Sequence, residues 1–310
     1  MSVTGSIEKT AKSIQNMTIR GAGRIARAAA SSMGDFARDY KGTSLKEFCN
    51  DLRKNSDILC ASRPTAVSLW NGVKFTMRGL SSAKTLQEAR EIVISNAEEF
   101  VEISSKAVEK IARIGANQIK SGDVIMTHCN SSAVIGILKE AHKRGIEFKV
   151  YATESRPWRQ GILTVKELAE AGIDTTLIID SAVRLVMEKV DMVLVGADTI
   201  TSHGVLINKI GTSQIALAAH EARVQFCVCS ETYKFSSATI FGETCDIEER
   251  CRDEVVKKGE IPDIVKTFNP VFDSTPAAYI DAIITNVGMI HPGSVYDVMI
   301  RQLGENILEE

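Results

Sequence analysis

From Asp123 onward the sequence carries six short, nearly continuous apolar runs: VIMT (124–127), FKVYAT (148–153), TTLIID (175–180), DMVLVGAD (191–198), VQFCVCS (224–230) and DAIITN (281–286). Segments with apolar residues at three- and four-residue spacing separate them. Runs of Val, Ile and Leu without polar alternation suit strands buried on both faces. Their alternation with helices predicts a parallel sheet covered on both sides. Nothing before Asp123 reads as strand; residues 6–17, 20–38, 44–57, 63–79 and 83–117 carry helical spacing instead. The expected architecture is α/β, with a helical N-terminal domain over 1–120 and a Rossmann-like, doubly wound parallel-sheet domain over 121–310. In such sheets ligands bind outside the carboxyl ends of the strands.

Composition removes several function classes. The chain has 37 basic against 39 acidic residues, so no global charge excess points to nucleic acid. Its start, MSVTGSIEKTAKSIQNMT, has no apolar signal core, and no run of 18 apolar residues occurs, so neither secretion nor a membrane partner is expected. Seven irregularly spaced cysteines fit a reduced, cytoplasmic protein better than a disulfide framework. Cys227 and Cys229 fall in VQFCVCS and read as core residues. Five histidines, none at i, i+4 spacing, give no metal site, and no cofactor is implied.

The unusual polar residues collect where the predicted strands end. Thr127-His128-Cys129-Asn130-Ser131-Ser132 follows the first run and precedes a helical segment. A helix N-terminus favours thiolate at Cys129, and Asn130, Ser131 and Ser132 can cap the helix or donate to a phosphate. Taken alone, an inert buried cysteine is the simpler reading of that position. Asp198 ends GAD after the fourth run, as either a catalytic carboxylate or an Asx turn. Asn208-Lys209-Ile210-Gly211-Thr212 opens another helical segment, Glu154-Ser155-Arg156-Pro157 and Gln160-Gly161 follow the second run, and Lys234 follows the fifth. Far upstream, Gly21-Ala22-Gly23-Arg24-Ile25-Ala26 fits a dinucleotide-binding pattern, but no strand precedes it. It reads either as a helix start offering N–H groups to a phosphate, beside Arg20 and Arg24, or as a plain turn.

Taken in order, RGAGRI (20–25), SRPTA (62–66), THCNSSA (127–133), ESRP (154–157), GADTI (196–200), NKIGT (208–212), ETYKF (231–235) and FDSTP (272–276) resemble one superfamily. It contains the regulatory subunits of translation initiation factor 2B, the methylthioribose-1-phosphate isomerases and the archaeal ribose-1,5-bisphosphate isomerases. The last group looks most similar, through RGAGRIA and THCNSSA and through retention of both Cys129 and Asp198. The resemblance implies conversion of ribose 1,5-bisphosphate to ribulose 1,5-bisphosphate in archaeal AMP and nucleoside salvage. It implies Cys129 and Asp198 as the catalytic acid–base pair. Substrate-binding roles fall to Arg20, Gly21, Ala22, Gly23, Arg63, Ser131, Ser132, Ala133, Asn208, Lys209 and Lys234, although some relatives carry lysine at the place of Ser132. A homo-oligomer, either a dimer or a trimer of dimers, is implied as well.

The chemistry sets its own demands. With the anomeric oxygen phosphorylated, the ring C1–O4 bond must break while phosphate stays on C1. An acid must protonate O4, and a base must move the C2 hydrogen to C1 unless it shifts as hydride. Asp198 suits the acid if burial raises its pKa, and Cys129 the base if it is a thiolate. Water must be kept from the intermediate, so the helical domain is expected to help cover the site. A methylthio group in place of the 5-phosphate would leave buried cations unpaired. The alternatives are a non-enzymatic regulatory subunit and a methylthioribose-1-phosphate isomerase.

Overall fold

Five helices come first in the computed structural model, which describes residues 3–19 and 21–303: α1 (Val3–Gln15), α2 (Ala22–Asp39), α3 (Leu45–Ala61), α4 (Val67–Met77) and α5 (Leu86–Ala116). Their starts follow local chemistry. Gly21, at φ +89, turns the chain into α2, and the Ser44 hydroxyl accepts the Glu47 N–H to cap α3. Ile25, Ala29, Met33, Phe36 and Ala37 form the inward stripe of α2, which meets Phe48, Leu52 and Leu59 of α3 in one core. Residues through Ala107 form one compact unit and those from Val108 a second, the division falling within α5.

The second unit contains β1 (Val124–His128), α6 (Ser132–Lys143), β2 (Lys149–Thr153), α7 (Gly161–Glu170), β3 (Asp174–Ile178), α8 (Val183–Val186), β4 (Met192–Val195), β5 (Thr199–Thr201), β6 (Leu206–Lys209), α9 (Thr212–Ala222), β7 (Gln225–Cys229), β8 (Phe235–Ser236), β9 (Phe272–Thr275), β10 (Ala282–Thr285), β11 (Gly288–Ile290) and α10 (Val295–Leu303). All six apolar runs of the sequence are strands of one sheet, ordered β11-β10-β7-β4-β1-β2-β3. The six are parallel and β11 alone pairs antiparallel, at the edge. Their order is that of a doubly wound Rossmann-like sheet.

Burial on both faces explains the unbroken apolar runs. Ile125, Leu194, Cys227, Cys229 and Ile284 point into a core shared with Val134, Ile137 and Leu138 of α6. Met126, Val193, Val195, Phe226, Val228 and Ile283 point the other way, towards Ile215 and Ala219 of α9 and Val295 of α10. Cys227 and Cys229 are thus core residues, as their strand setting suggests, and both are free thiols.

The sequence reading missed a second sheet of four strands, ordered β8-β5-β6-β9. Each has only two to four residues, too short for any period to register. This small sheet has functional weight, because Asp198 precedes β5, Asn208 and Lys209 end β6, and Lys234 precedes β8. No described helix is long and apolar enough to cross a membrane.

One contact locks α7 to the sheet. A Cβ added at Gly161 would lie 1.7 Å from the Thr153 carbonyl oxygen, a backbone atom that cannot swing away. Gly161→Ala is expected to destabilise the protein by about 3 kcal/mol, against about 1 kcal/mol for Gly145→Ala, which lies in open space at φ +79. Denaturant midpoints of the two variants check this; equal shifts would remove the packing argument.

Candidate active site at the sheet switch point

Strand order reverses between β1 and β4, which pair in register up to His128 and Val195, so Cys129 and Gly196 leave the sheet side by side. Cys129 takes φ +65, a left-handed conformation unfavourable for a residue with a Cβ. Three contacts hold it. Its N–H donates to the Ser155 hydroxyl at 2.8 Å, its carbonyl accepts from the Thr164 hydroxyl at 2.7 Å, and its thiol donates to Gln160 Oε1 at 3.4 Å. Ser131 caps α6 by accepting the Val134 N–H, which leaves the Ser132 and Ala133 N–H groups in the open first turn. Ser132 is exposed, whereas the Ala133 side chain is buried, so Ala133 can meet a ligand only through its backbone. Glycine is required at 196, since a Cβ there would lie 2.6 Å from Ser131 Oγ.

His128 joins this loop to the next. Its Nε2 is 2.8 Å from the Ile210 carbonyl, which can only accept, so Nε2 carries the hydrogen and Nδ1 accepts from the Thr153 hydroxyl. Burial pushes its pKa down, outweighing the Ile210 carbonyl and Asp180 and keeping the ring neutral. Gly211, at φ +101, lets the loop pass close to that ring. Asn208 and Lys209 end β6 rather than opening a helix, and α9 begins only at Thr212. Asn208 is buried and donates to the Thr212 hydroxyl at 3.0 Å. Asp273, on the neighbouring β9, accepts the Gly211 N–H at 2.7 Å and the Ser213 N–H at 3.1 Å, anchoring the loop.

Asp198 is half-buried, with its N–H on the Ile207 carbonyl, and close enough for its charge to act on Cys129. The Lys209 ammonium acts on Cys129 too, in the opposite sense. Burial dominates both and pushes the Cys129 thiol up to about 11. Burial thus works against the thiolate expected from the helix N-terminus, and it outweighs the nearby lysine and the Asn130 N–H.

Lys234 is buried, and its Nζ sits 2.7 Å from Oε2 of Glu231. Burial opposes ionisation of Glu231, but Lys234 and the Tyr233 hydroxyl hold its carboxyl below the usual range. Lys234 therefore has its own counter-ion, which its position after the fifth run gave no sign of.

In the helical unit, Gly21, Ala22 and Gly23 open α2, and Ala22's carbonyl accepts from Ser68. Arg63 lies half-buried between α3 and α4, and Arg20 lies outside the described residues. Among the described residues no three His, Cys, Asp or Glu side chains gather as metal ligands. Sequence reasoning missed Gln160 as a partner of the thiol, His128 as a strut, Glu231 and Asp273. Gln160, Glu231 and Asp273 each stand inside a motif that had drawn notice, but no pattern in the chain shows a hydrogen bond.

The Initiation factor 2 subunit family model matches residues 18–292. The chain belongs to that family. Among its members, the ribose 1,5-bisphosphate isomerase of Methanocaldococcus jannaschii is 49% identical over 98% of this chain and 97% of its own. The protein of that name from Archaeoglobus fulgidus is 50% identical over 97% and 95%. Of solved structures, translation initiation factor eIF-2B from Pyrococcus horikoshii OT3 matches with TM-score 0.78 and 31% identity, covering 92% of this chain and 97% of that one. The 5-methylthioribose 1-phosphate isomerase of the same organism matches with TM-score 0.75 and 29% identity, covering 96% and 88%. Family membership agrees with the superfamily that the motif series resembles.

Asp273 gives a pH test of the loop anchor. Burial raises its carboxyl to about 6, against the pull of the Ser213 and Gly211 N–H groups. With the folded pKa above the unfolded one, its contribution to stability is full below pH 4 and is lost as pH rises through 6. Asp273→Asn removes that dependence. The variant's stability relative to the parent should rise by about 2 kcal/mol from pH 4 to pH 7, a two-unit difference reduced for partial screening. Urea unfolding at the two pH values measures it; a constant difference would show an ordinary carboxyl.

Proposed function

We propose that this chain converts ribose 1,5-bisphosphate to ribulose 1,5-bisphosphate, as a step of archaeal AMP and nucleoside salvage. The observation that carries the reading is the near-full-length likeness, at about half identity, to archaeal proteins bearing that isomerase's name. The meeting of Cys129, Asp198 and Lys209 around the switch point supports it.

The protonation of Cys129 sets the direction of proton flow. A thiol with a pKa of about 11 enters the reaction holding its proton, so Cys129 is the acid that protonates O4 as the C1–O4 bond breaks. Asp198 is then the base that takes the C2 proton, giving an enol with the phosphate still on C1. Protonated Asp198 then returns its proton to C1 and the Cys129 thiolate takes the C2 hydroxyl proton, which gives the ketone and restores both groups. The acid–base pair stays as the resemblance implies, with the two roles exchanged. The negative charge of Asp198 helps to keep the proton on the thiol at rest, by making the thiol harder to ionise. Ser131, Ser132 and Ala133 at the start of α6, with Asn208, Lys209 and Lys234, are proposed to bind the substrate's phosphates and hydroxyls. Arg20, Gly21, Ala22, Gly23 and Arg63 of the helical unit are proposed as substrate-binding on the family resemblance. A homo-oligomer, as a dimer or a trimer of dimers, and a cytoplasmic location belong to the same reading.

NMR of the purified protein with ribose 1,5-bisphosphate tests the reaction; absence of ribulose 1,5-bisphosphate would remove this reading in favour of a regulatory, non-enzymatic subunit or a methylthioribose-1-phosphate isomerase. Cys129→Ser and Asp198→Asn are each expected to lower kcat by about 10²–10⁴-fold with the fold intact by circular dichroism. Near-normal turnover in either variant removes the pair.

Substrate choice gives a separate prediction. Lys234 is already answered by Glu231, so a missing 5-phosphate strands less charge than a set of unpaired cations would. Discrimination against 5-methylthioribose 1-phosphate is accordingly expected at about 10² in kcat/KM, the value of a few lost charged hydrogen bonds. Side-by-side kinetics check it, and equal values place the chain with the methylthioribose enzymes.

A further inference from the structure

Asp180 follows β3 and drew no notice as a functional residue, yet its carboxylate grips the loop that holds Cys129. Oδ1 accepts the Ser155 N–H and Oδ2 the Arg156 N–H, both at 2.8 Å. Ser155 is fully buried and sits at φ +60, a conformation that a residue with a Cβ keeps only when its surroundings fix it. From that position the Ser155 hydroxyl accepts the N–H of Cys129, itself at φ +65, and lies 3.3 Å from His128 Nδ1 and from Thr153 Oγ1. Two left-handed residues from different strand ends are thus joined by one hydrogen bond, and the outer of the two is clamped by one carboxylate. An amide in the same place would turn its NH2, itself a donor, towards one of the two N–H groups that separate oxygens now accept.

We propose that Asp180 is a positioning residue of the Cys129 site, fixing the Ser155 turn whose hydroxyl sets the orientation of the thiol. The inference rests on the catalytic reading of Cys129 given above. Its charge has a second effect. The groups whose charge reaches Cys129 are Lys209 on β6, Asp198 after β4 and Asp180 after β3, with neutral His128 and Gln160 completing the surround. Of these, Asp180 and Asp198 both oppose loss of the thiol proton.

The test compares Asp180→Asn, Asp180→Glu, Ser155→Gly and the Asp180→Asn/Ser155→Gly double variant in the full chain. Asp180→Asn is expected to lower kcat by about ten- to hundredfold, with KM changed less, since a small misplacement of a reacting group costs rate on that scale. The double variant should be no slower than the slower single variant, because both substitutions break one chain of contacts. Carboxamidomethylation of Cys129 by iodoacetamide at pH 8, read by peptide mass spectrometry, gives a readout independent of any sugar. Asp180→Asn should speed it several-fold, and Asp180→Glu, which restores the charge but displaces the oxygens, should recover this rate more than kcat. Normal kcat in Asp180→Asn, losses that add in the double variant, or an unchanged alkylation rate overturns the proposal. If Asp180→Asn does not fold, Asp180→Glu carries the same comparison with Ser155→Gly. If the parent protein does not turn over ribose 1,5-bisphosphate, the proposed substrate falls and the alkylation comparison alone decides the role of Asp180.

Discussion

The N–H of Cys129 on the hydroxyl of Ser155 is the contact on which the candidate site depends. It ties the end of β1 to the turn after β2, and both residues are held left-handed on either side of it. Without it the thiol would leave the sheet in whatever direction the backbone prefers, and the neighbouring contacts to Gln160 and Thr164 would have nothing fixed to meet. His128 extends the same network to the loop after β6, so that Lys209 is placed relative to Cys129 by hydrogen bonds rather than by solvent-exposed attraction. Surface ion pairs such as Lys106 with Glu102 contribute little by comparison, being open to water and salt.

A large part of the molecule was legible in the chain because burial on two faces leaves an unmistakable trace. VIMT, DMVLVGAD and VQFCVCS carry no polar alternation, and all are central strands. Parallel pairing then follows from the helical stretches between them, and the switch point from strand order. The small sheet was invisible for the opposite reason. Phe235–Ser236 and Thr199–Thr201 pair through backbone groups alone over two and three residues, and no pattern of side chains reports that. The antiparallel edge strand Gly288–Ile290 is hidden in the same way.

At the site, residue types were readable and their electrical states were not. A cysteine before a helix suggested a thiolate, since the helix end is a local and sequence-visible feature. What decides the protonation is how much water reaches the sulfur, a property of the whole neighbourhood. The same holds for Lys234, whose sign was plain but whose counter-ion, three residues away in sequence, is recognised only when both are seen to be buried together. Asp180 looked like the last residue of a strand and proves to be the clamp of a neighbouring turn.

The raised thiol at Cys129 also bears on how the protein ages. Peroxides attack thiolates far faster than thiols, and mixed disulfides form by the same route. Cys60, Cys129, Cys227, Cys229 and Cys245 are all pushed upward, chiefly by burial. A catalyst that used cysteine as a base would have to keep a standing thiolate and expose it to every oxidant that could enter. Held as a thiol by burial, the sulfur of Cys129 rests in its less reactive form. The chain carries seven cysteines, and burial leaves oxidants little purchase at the one beside the sheet switch point.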